Sequence, residues 1–192
     1  MESNRADTME KRKAAFLDRD GVINVDKDYL YRIEDFEYEE GALTGLKTLE
    51  EAGYLLIVIT NQSGIARGYY TEEDYRKLEK WIFKDLEQRG IHISGSYFCP
   101  HHPNAAVLKY KRSCDCRKPA TGLFYRAAEE LSVDLDRSIA IGDKERDLQI
   151  CKETKARGFL LRKRGAISID ISGNDDFTIT DWAGICQALK RK

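Results

Sequence analysis

What the chain is short of narrows its function before any motif is considered. It has no surplus of either charge, since 32 lysines and arginines face 33 aspartates and glutamates among 192 residues. A protein that grips phosphate backbones regardless of sequence needs a basic excess, so nucleic acid is not the expected partner. No apolar run approaches the roughly 20 residues that cross a bilayer, and Met1 to Arg12 is polar where a signal peptide would be apolar. The expected location is therefore the cytoplasm, without a membrane partner, and a monomer is expected. Prolines are scarce, three in all, and the five cysteines are odd in number. In a reducing compartment three cysteines packed between Cys99 and Cys116 favour a metal over disulfides.

What is present fits one well-packed core, because 192 residues at 42% hydrophobic scarcely fill two. Residues 1–12 read as a disordered, charged start and 13–192 as a single domain. Ala14 to Leu17 is a short buried strand ending abruptly in Asp18-Arg19-Asp20-Gly21. Leu43, Leu46 and Leu49 recur at helical spacing up to Gly53, and Tyr54 to Ile59 is an apolar run of the kind buried on both faces of a sheet. Thr71 opens a helix that carries Tyr75, Leu78, Trp81, Ile82 and Leu86 on one stripe as far as Gly90. Leu123 to Leu131 is a further helix, and Ser138 to Ile141 and Gly158 to Leu161 are further strands. Strands alternating with helices predict an α/β fold with a doubly wound parallel sheet.

In such sheets ligands bind beyond the carboxyl ends of the strands. The polar clusters fall there: Asp18 and Asp20 after the first strand, Thr60 to Ser63 after the second, and Gly142-Asp143-Lys144 after Ser138 to Ile141. Three strand ends thus converge on one crevice.

Phe16-Leu17-Asp18-Arg19-Asp20-Gly21 resembles the nucleophile motif of the haloacid dehalogenase superfamily. Thr60, Lys118 within Cys-Arg-Lys-Pro, and Gly142-Asp143-Lys144 with Asp147 are similar to its other three motifs. The runs Thr60 to Gly68, Cys99 to Pro103 and Cys114 to Pro119 resemble the D-glycero-D-manno-heptose 1,7-bisphosphate 7-phosphatases, and the histidinol-phosphate phosphatases share most of these features. The resemblance covers about Ala15 to Arg162 and implies a Rossmann-like fold without a large cap domain. It implies Asp18 as nucleophile, Asp20 as general acid and base, and magnesium held by Asp18, Asp143 and the backbone carbonyl of Asp20. It also implies substrate contacts from Asp26, Tyr29, Thr60, Asn61, Gln62, Ser63, Arg117, Lys118 and Lys144, and a role in nucleotide-activated heptose biosynthesis. Ala120, where a second proline is common, and Leu161 to Gly165, where Arg-Thr-Gly is usual, depart from the family.

The residue types suit that chemistry on their own account. A phosphate monoester is a dianion that repels a carboxylate, so a hard cation on oxygen ligands has to bridge them. A leaving alkoxide needs a proton and a hydrolytic water must lose one, and a single carboxyl group can serve both in turn. The Thr60 hydroxyl and the Lys118 ammonium suit the oxygens of the transferred phosphoryl group, and backbone N–H groups of Asn61 to Gly64 would form an anion nest.

Cys99-x-His101 and Cys114-x-Cys116 offer three thiolates and one imidazole, the ligand set of a closed structural zinc site, in a loop spanning 99–117. Spacing leaves His101 and His102 as alternatives, and the family pattern favours His101. Two other classes fit the residues less well. A phospho-aspartate signalling module lacks an acid two residues after its phosphoacceptor, which Asp20 supplies here, and a zinc-dependent binding module would have no use for Asp18. The expected partner is a small phosphorylated sugar.

Overall fold

The computed structural model describes residues 10–162 and 177–190. Its core is a six-stranded, wholly parallel sheet built from β1 (Ala14–Leu17), β2 (Leu55–Asn61), β3 (Ile93–Cys99), β4 (Ile139–Gly142), β5 (Arg157–Leu161) and β6 (Phe177–Thr180). The strands lie in the order β3-β2-β1-β4-β5-β6. The order reverses between β1 and β4, which opens a crevice at their carboxyl ends. The helices are α1 (Ala42–Glu51), α2 (Ser63–Arg67), α3 (Glu72–Gln88), α4 (Gly122–Glu130), α5 (Ile150–Glu153) and α6 (Trp182–Lys190).

Alternation along β1 divides the core. Ala15 and Leu17 face one layer with Leu46, Leu49, Leu78, Leu86 and Trp182, while Ala14 and Phe16 face the other with Phe124, Ala127 and Ile150. A third, smaller cluster of Ile65, Ala66, Tyr70, Tyr75, Ala105 and Tyr110 lies under the cysteine loop. Thr71 and Asp74 cap α3 reciprocally, as the Thr-Glu-Glu-Asp run predicts.

The expected strands and helices are present with shifted ends. The second strand runs two residues further than Ile59, so Thr60 and Asn61 belong to it, and the strand expected at Ser138 starts at Ile139 and includes Gly142. Two strands were not anticipated. β3 is an edge strand, half-buried over most of its length, with Ser94, Gly95 and Ser96 breaking its apolar pattern. β6 is largely exposed and lacks an apolar run. The expectations for residues 1–9 and for Lys163 to Gly165 fall outside the described residues.

α6 is anchored through Trp182, which is buried, donates Nε1–H to the Val22 carbonyl at 3.1 Å, and lies against Gly45 so closely that a Cβ there would come within 2.0 Å of its ring. Among the described residues no helix is long and apolar enough to cross a membrane. Trp182→Ala should lower the free energy of unfolding by about 3–5 kcal/mol through the cavity beside α1. A urea titration giving under about 1 kcal/mol would show that α6 is not part of the cooperative core.

Candidate active site and metal centres

Asp18 continues the ladder beyond β1, donating its N–H to the Ile141 carbonyl at 3.0 Å. Its side chain is almost fully buried and meets the Lys118 ammonium at 3.0 Å. That ammonium also contacts Asp147 at 2.8 Å and donates to the Ile59 carbonyl at 2.7 Å. Burial pulls the Lys118 pKa down, but Asp18 and Asp147 outweigh it and hold Lys118 above an ordinary lysine. For Asp18 burial wins: it raises the carboxyl to about 7 against the pull of Lys118, with Asp147, Asp20 and Asp143 adding repulsion.

Asp18, Asp143 and Asp147 bring carboxylate oxygens within 4.8 Å of one another. The buried Oδ1 of Asp143 has no hydrogen-bond donor among the described residues. Crowded carboxylates with an orphaned oxygen fit a hard divalent cation. Two glycines make the approach possible. Gly21 has φ +80 and a Cβ there would lie 2.7 Å from Asp143 Oδ2, while a Cβ on Gly142 would lie 2.2 Å from that of Asp147.

Asp20 is held apart from this triad. Its Oδ1 accepts from Arg19 Nη2 at 2.8 Å and Asn24 Nδ2 at 2.9 Å, and its Oδ2 from Arg19 Nη2 at 2.9 Å and Gln62 Nε2 at 3.0 Å. Burial raises the Asp20 pKa, yet Arg19 and these amides bring it below the usual carboxylate value. Gln62 also donates to Thr60 Oγ1 at 2.9 Å and accepts from Tyr70 Oη at 2.6 Å. It therefore braces acid and hydroxyl together. Its backbone N–H donates to Cys99 O, so the nest expected over Asn61 to Gly64 lacks that donor. The Asn61 side chain makes two bonds to the Lys118 backbone, donating to its carbonyl and accepting from its N–H, each 3.0 Å. Ser63 is half-buried and starts α2 beside them.

Lys144 bridges Asp143 at 3.1 Å and Asp26 at 3.3 Å, which sets Asp26 at the rim of the metal triad. Tyr29 is exposed, its ring edge-to-face with Tyr69. Arg117 Nη1 donates to the His101 carbonyl at 3.3 Å. Sequence reasoning left out Arg19, Asn24 and Tyr70 as supports. A buried arginine between two aspartates was a readable signal, whereas Asn24 and Tyr70 carry none.

The cysteine loop closes on a second centre. Cys99, Cys114 and Cys116 sulfurs lie 3.2–3.6 Å apart, and His101 Nδ1 is 3.3 Å from Cys116 and 3.7 Å from Cys99. Donors on a tetrahedral zinc stand about 3.5–3.8 Å apart, so the four residues fit such an ion. Burial, then Arg112, lower the His101 pKa below that of an ordinary histidine, the direction that favours the neutral imidazole a ligand needs. His102 turns away, its Nδ1 accepting from Asn104 N–H at 3.1 Å.

Known proteins resemble this chain in sequence and fold. The HAD-hydrolase-like family model matches residues 115–168. A D-glycero-beta-D-manno-heptose-1,7-bisphosphate 7-phosphatase of Photorhabdus laumondii is 40% identical over 178 residues, 92% of this chain and 95% of that protein. The alpha-series enzyme of the same organism is 47% identical over 138 residues, 72% and 75% of the two chains. The crystal structure of D,D-heptose 1,7-bisphosphate phosphatase from B. bronchiseptica, complexed with magnesium and phosphate, superposes with a TM-score of 0.78 at 28% identity. It covers 93% of this chain and 98% of its own.

The pKa of Asp18, raised from 3.8 to about 7, sets a pH dependence. Its contribution to stability is complete below about pH 4 and is lost as pH rises toward about 7, because only the folded state holds the proton there. A divalent cation on the ionised carboxylates would offset the loss. The rise in Tm on replacing chelator by magnesium should thus be larger at about pH 8 than at about pH 5. Equal gains would show that these carboxylates do not control cation affinity.

Proposed function

The chain belongs to the heptose-1,7-bisphosphate 7-phosphatases of the haloacid-dehalogenase-like hydrolases, and from that premise we propose that it removes the 7-phosphate of D-glycero-D-manno-heptose 1,7-bisphosphate through a phospho-aspartate on Asp18. The observation that carries the mechanism is the burial of Asp18 against Lys118 beside the Asp143 and Asp147 carboxylates. Magnesium on Asp18, Asp143 and the Asp20 carbonyl would neutralise charge on the transferred group when bound.

The chain's own residues account for the rest. Asp18 attacks phosphorus, the bond to the sugar oxygen breaks, and Asp20 gives its proton to that oxygen. A dianion entering beside Asp20 raises its proton affinity against the pull of Arg19, which lets a carboxyl otherwise held ionised act first as an acid. The ionised form then takes a proton from the water that cleaves the acyl phosphate. Thr60 Oγ1, which accepts from Gln62, keeps its own hydrogen for a phosphoryl oxygen. Lys118 supplies positive charge to the same group. Asp26, Tyr29, Ser63 and Lys144 form the rim for the sugar, while Asn61 and Gln62 act by holding Lys118 and Asp20.

The Cys99, His101, Cys114 and Cys116 centre is read as structural zinc, since all four positions are taken by protein and no opening for substrate remains. Arg117 and Lys118 follow directly on Cys116, so tying the loop fixes two cations at the crevice.

Three outcomes are expected. Asp18→Asn abolishes turnover while its thermal melt stays cooperative, and near-normal phosphate release from that variant would eliminate the covalent route. Chelators that strip magnesium stop catalysis reversibly without removing zinc, whereas Cys114→Ser protein is purified zinc-poor with a protease-sensitive loop. Elemental analysis finding no zinc in the unmutated protein would overturn that assignment. In a panel of phosphate esters, kcat/KM is highest for the heptose 1,7-bisphosphate, and a higher value for histidinol phosphate would refute the substrate.

A further inference from the structure

Tyr70 is buried, and its hydroxyl donates to Gln62 Oε1 at 2.6 Å. That bond decides which way round the Gln62 amide stands. With Oε1 taken by a donor, the two hydrogens of Nε2 are left for the far side, where Asp20 Oδ2 accepts at 3.0 Å and Thr60 Oγ1 at 2.9 Å. The reverse orientation would set an amide oxygen against the Asp20 carboxylate and would draw the Thr60 hydrogen inward to that oxygen. Gln62 and Thr60 are 2% and 1% exposed, so a partner lost there is not replaced by bulk water.

Two features hold the Tyr70 ring where it makes this bond. A Cβ on Gly64 would come within 2.2 Å of the ring, so the lack of a side chain at that position lets the ring lie against the start of α2. Tyr31 stacks on the ring, with centroids 5.2 Å apart and planes 17° from parallel. Tyr31 follows directly on Leu30, whose carbonyl accepts from Arg19 Nη2 at 2.9 Å, and the same nitrogen holds both oxygens of Asp20. The segment that carries Asp26 and Tyr29 thus reaches Asp20 by two routes, one through Arg19 and one through Tyr70 and Gln62.

We propose that Tyr70 is a positioning residue for phosphoryl transfer: by fixing the Gln62 amide it keeps the Thr60 hydrogen turned toward the transferred phosphoryl group, and Tyr31 steadies it in that task. This rests on the phosphatase reading above and is independent of which sugar is used.

The test is Tyr70→Phe, which keeps the ring on Tyr31 and removes only the hydroxyl. Charge grows on the phosphoryl oxygens in the transition state, so the loss belongs to kcat. It should be about 10-fold, with KM within about 2-fold, and equal on the heptose 1,7-bisphosphate and on p-nitrophenyl phosphate, which has no sugar. A cooperative thermal melt reports that the variant is folded. In a Gln62→Leu background, where there is no amide to orient, Tyr70→Phe should cost under about 2-fold more. A loss confined to the heptose ester would make Tyr70 part of the sugar rim, and an unchanged kcat on both esters would mean that the amide keeps its orientation without the hydroxyl. Losses that multiply with those of Gln62→Leu would show that Tyr70 acts by another route; each of these overturns the proposal. Failure of the unmutated protein on the heptose ester alone would instead refute the substrate, and p-nitrophenyl phosphate would still judge Tyr70.

Discussion

A single buried ammonium organises this protein. Lys118 sits where Asp18 just past β1, the Ile59 carbonyl of β2 and Asp147 of the turn after β4 converge, and without it carboxylates would face one another in a medium that screens them poorly. Its compensation is incomplete by construction. Burial, with repulsion from the other carboxylates, leaves Asp18 with a raised pKa against the pull of Lys118, and Asp143 keeps an orphaned oxygen, an arrangement that a divalent cation would relieve. The fold contributes the strand order that makes the ends meet, and glycines at 21 and 142 let the carboxylates approach as closely as they do.

Asp20 shows the complementary arrangement. Its two oxygens are fully occupied by Arg19, Asn24 and Gln62, so its position is fixed without a metal. The two aspartates stand two residues apart in sequence and answer to different neighbours, burial for one and hydrogen-bond donors for the other. Such a divergence of environments suits one short segment to the two roles proposed for it, nucleophile and proton carrier.

Much of this was legible in the sequence, and the reasons differ by residue. Asp18, Thr60 and Asp143 announced themselves because each ends an apolar run short enough to be a buried strand. Cys99, His101, Cys114 and Cys116 were legible because metal ligands come in closely spaced pairs. β3 and β6 were not, since an edge strand with one face toward water has no need of continuous apolar residues. The bracing by Gln62 was also hidden: it depends on Tyr70 arriving from beyond α2 and on Asp20 from another strand end, contacts that no local pattern encodes. Likewise, spacing could not choose between His101 and His102, and the fold chose by turning one ring into the sulfur cluster and the other onto its own loop.

The pairing of Asn61 with residue 118 has a wider consequence. The amide side chain reads the N–H and carbonyl of Lys118, not its side chain, and so acts as one more rung of the sheet, linking the end of β2 to the end of the cysteine loop. A joint that recognises only backbone is indifferent to what the loop carries elsewhere. Substitutions at the loop's outer positions leave this joint untouched, so the lysine at its base keeps its place while the mouth of the crevice changes shape.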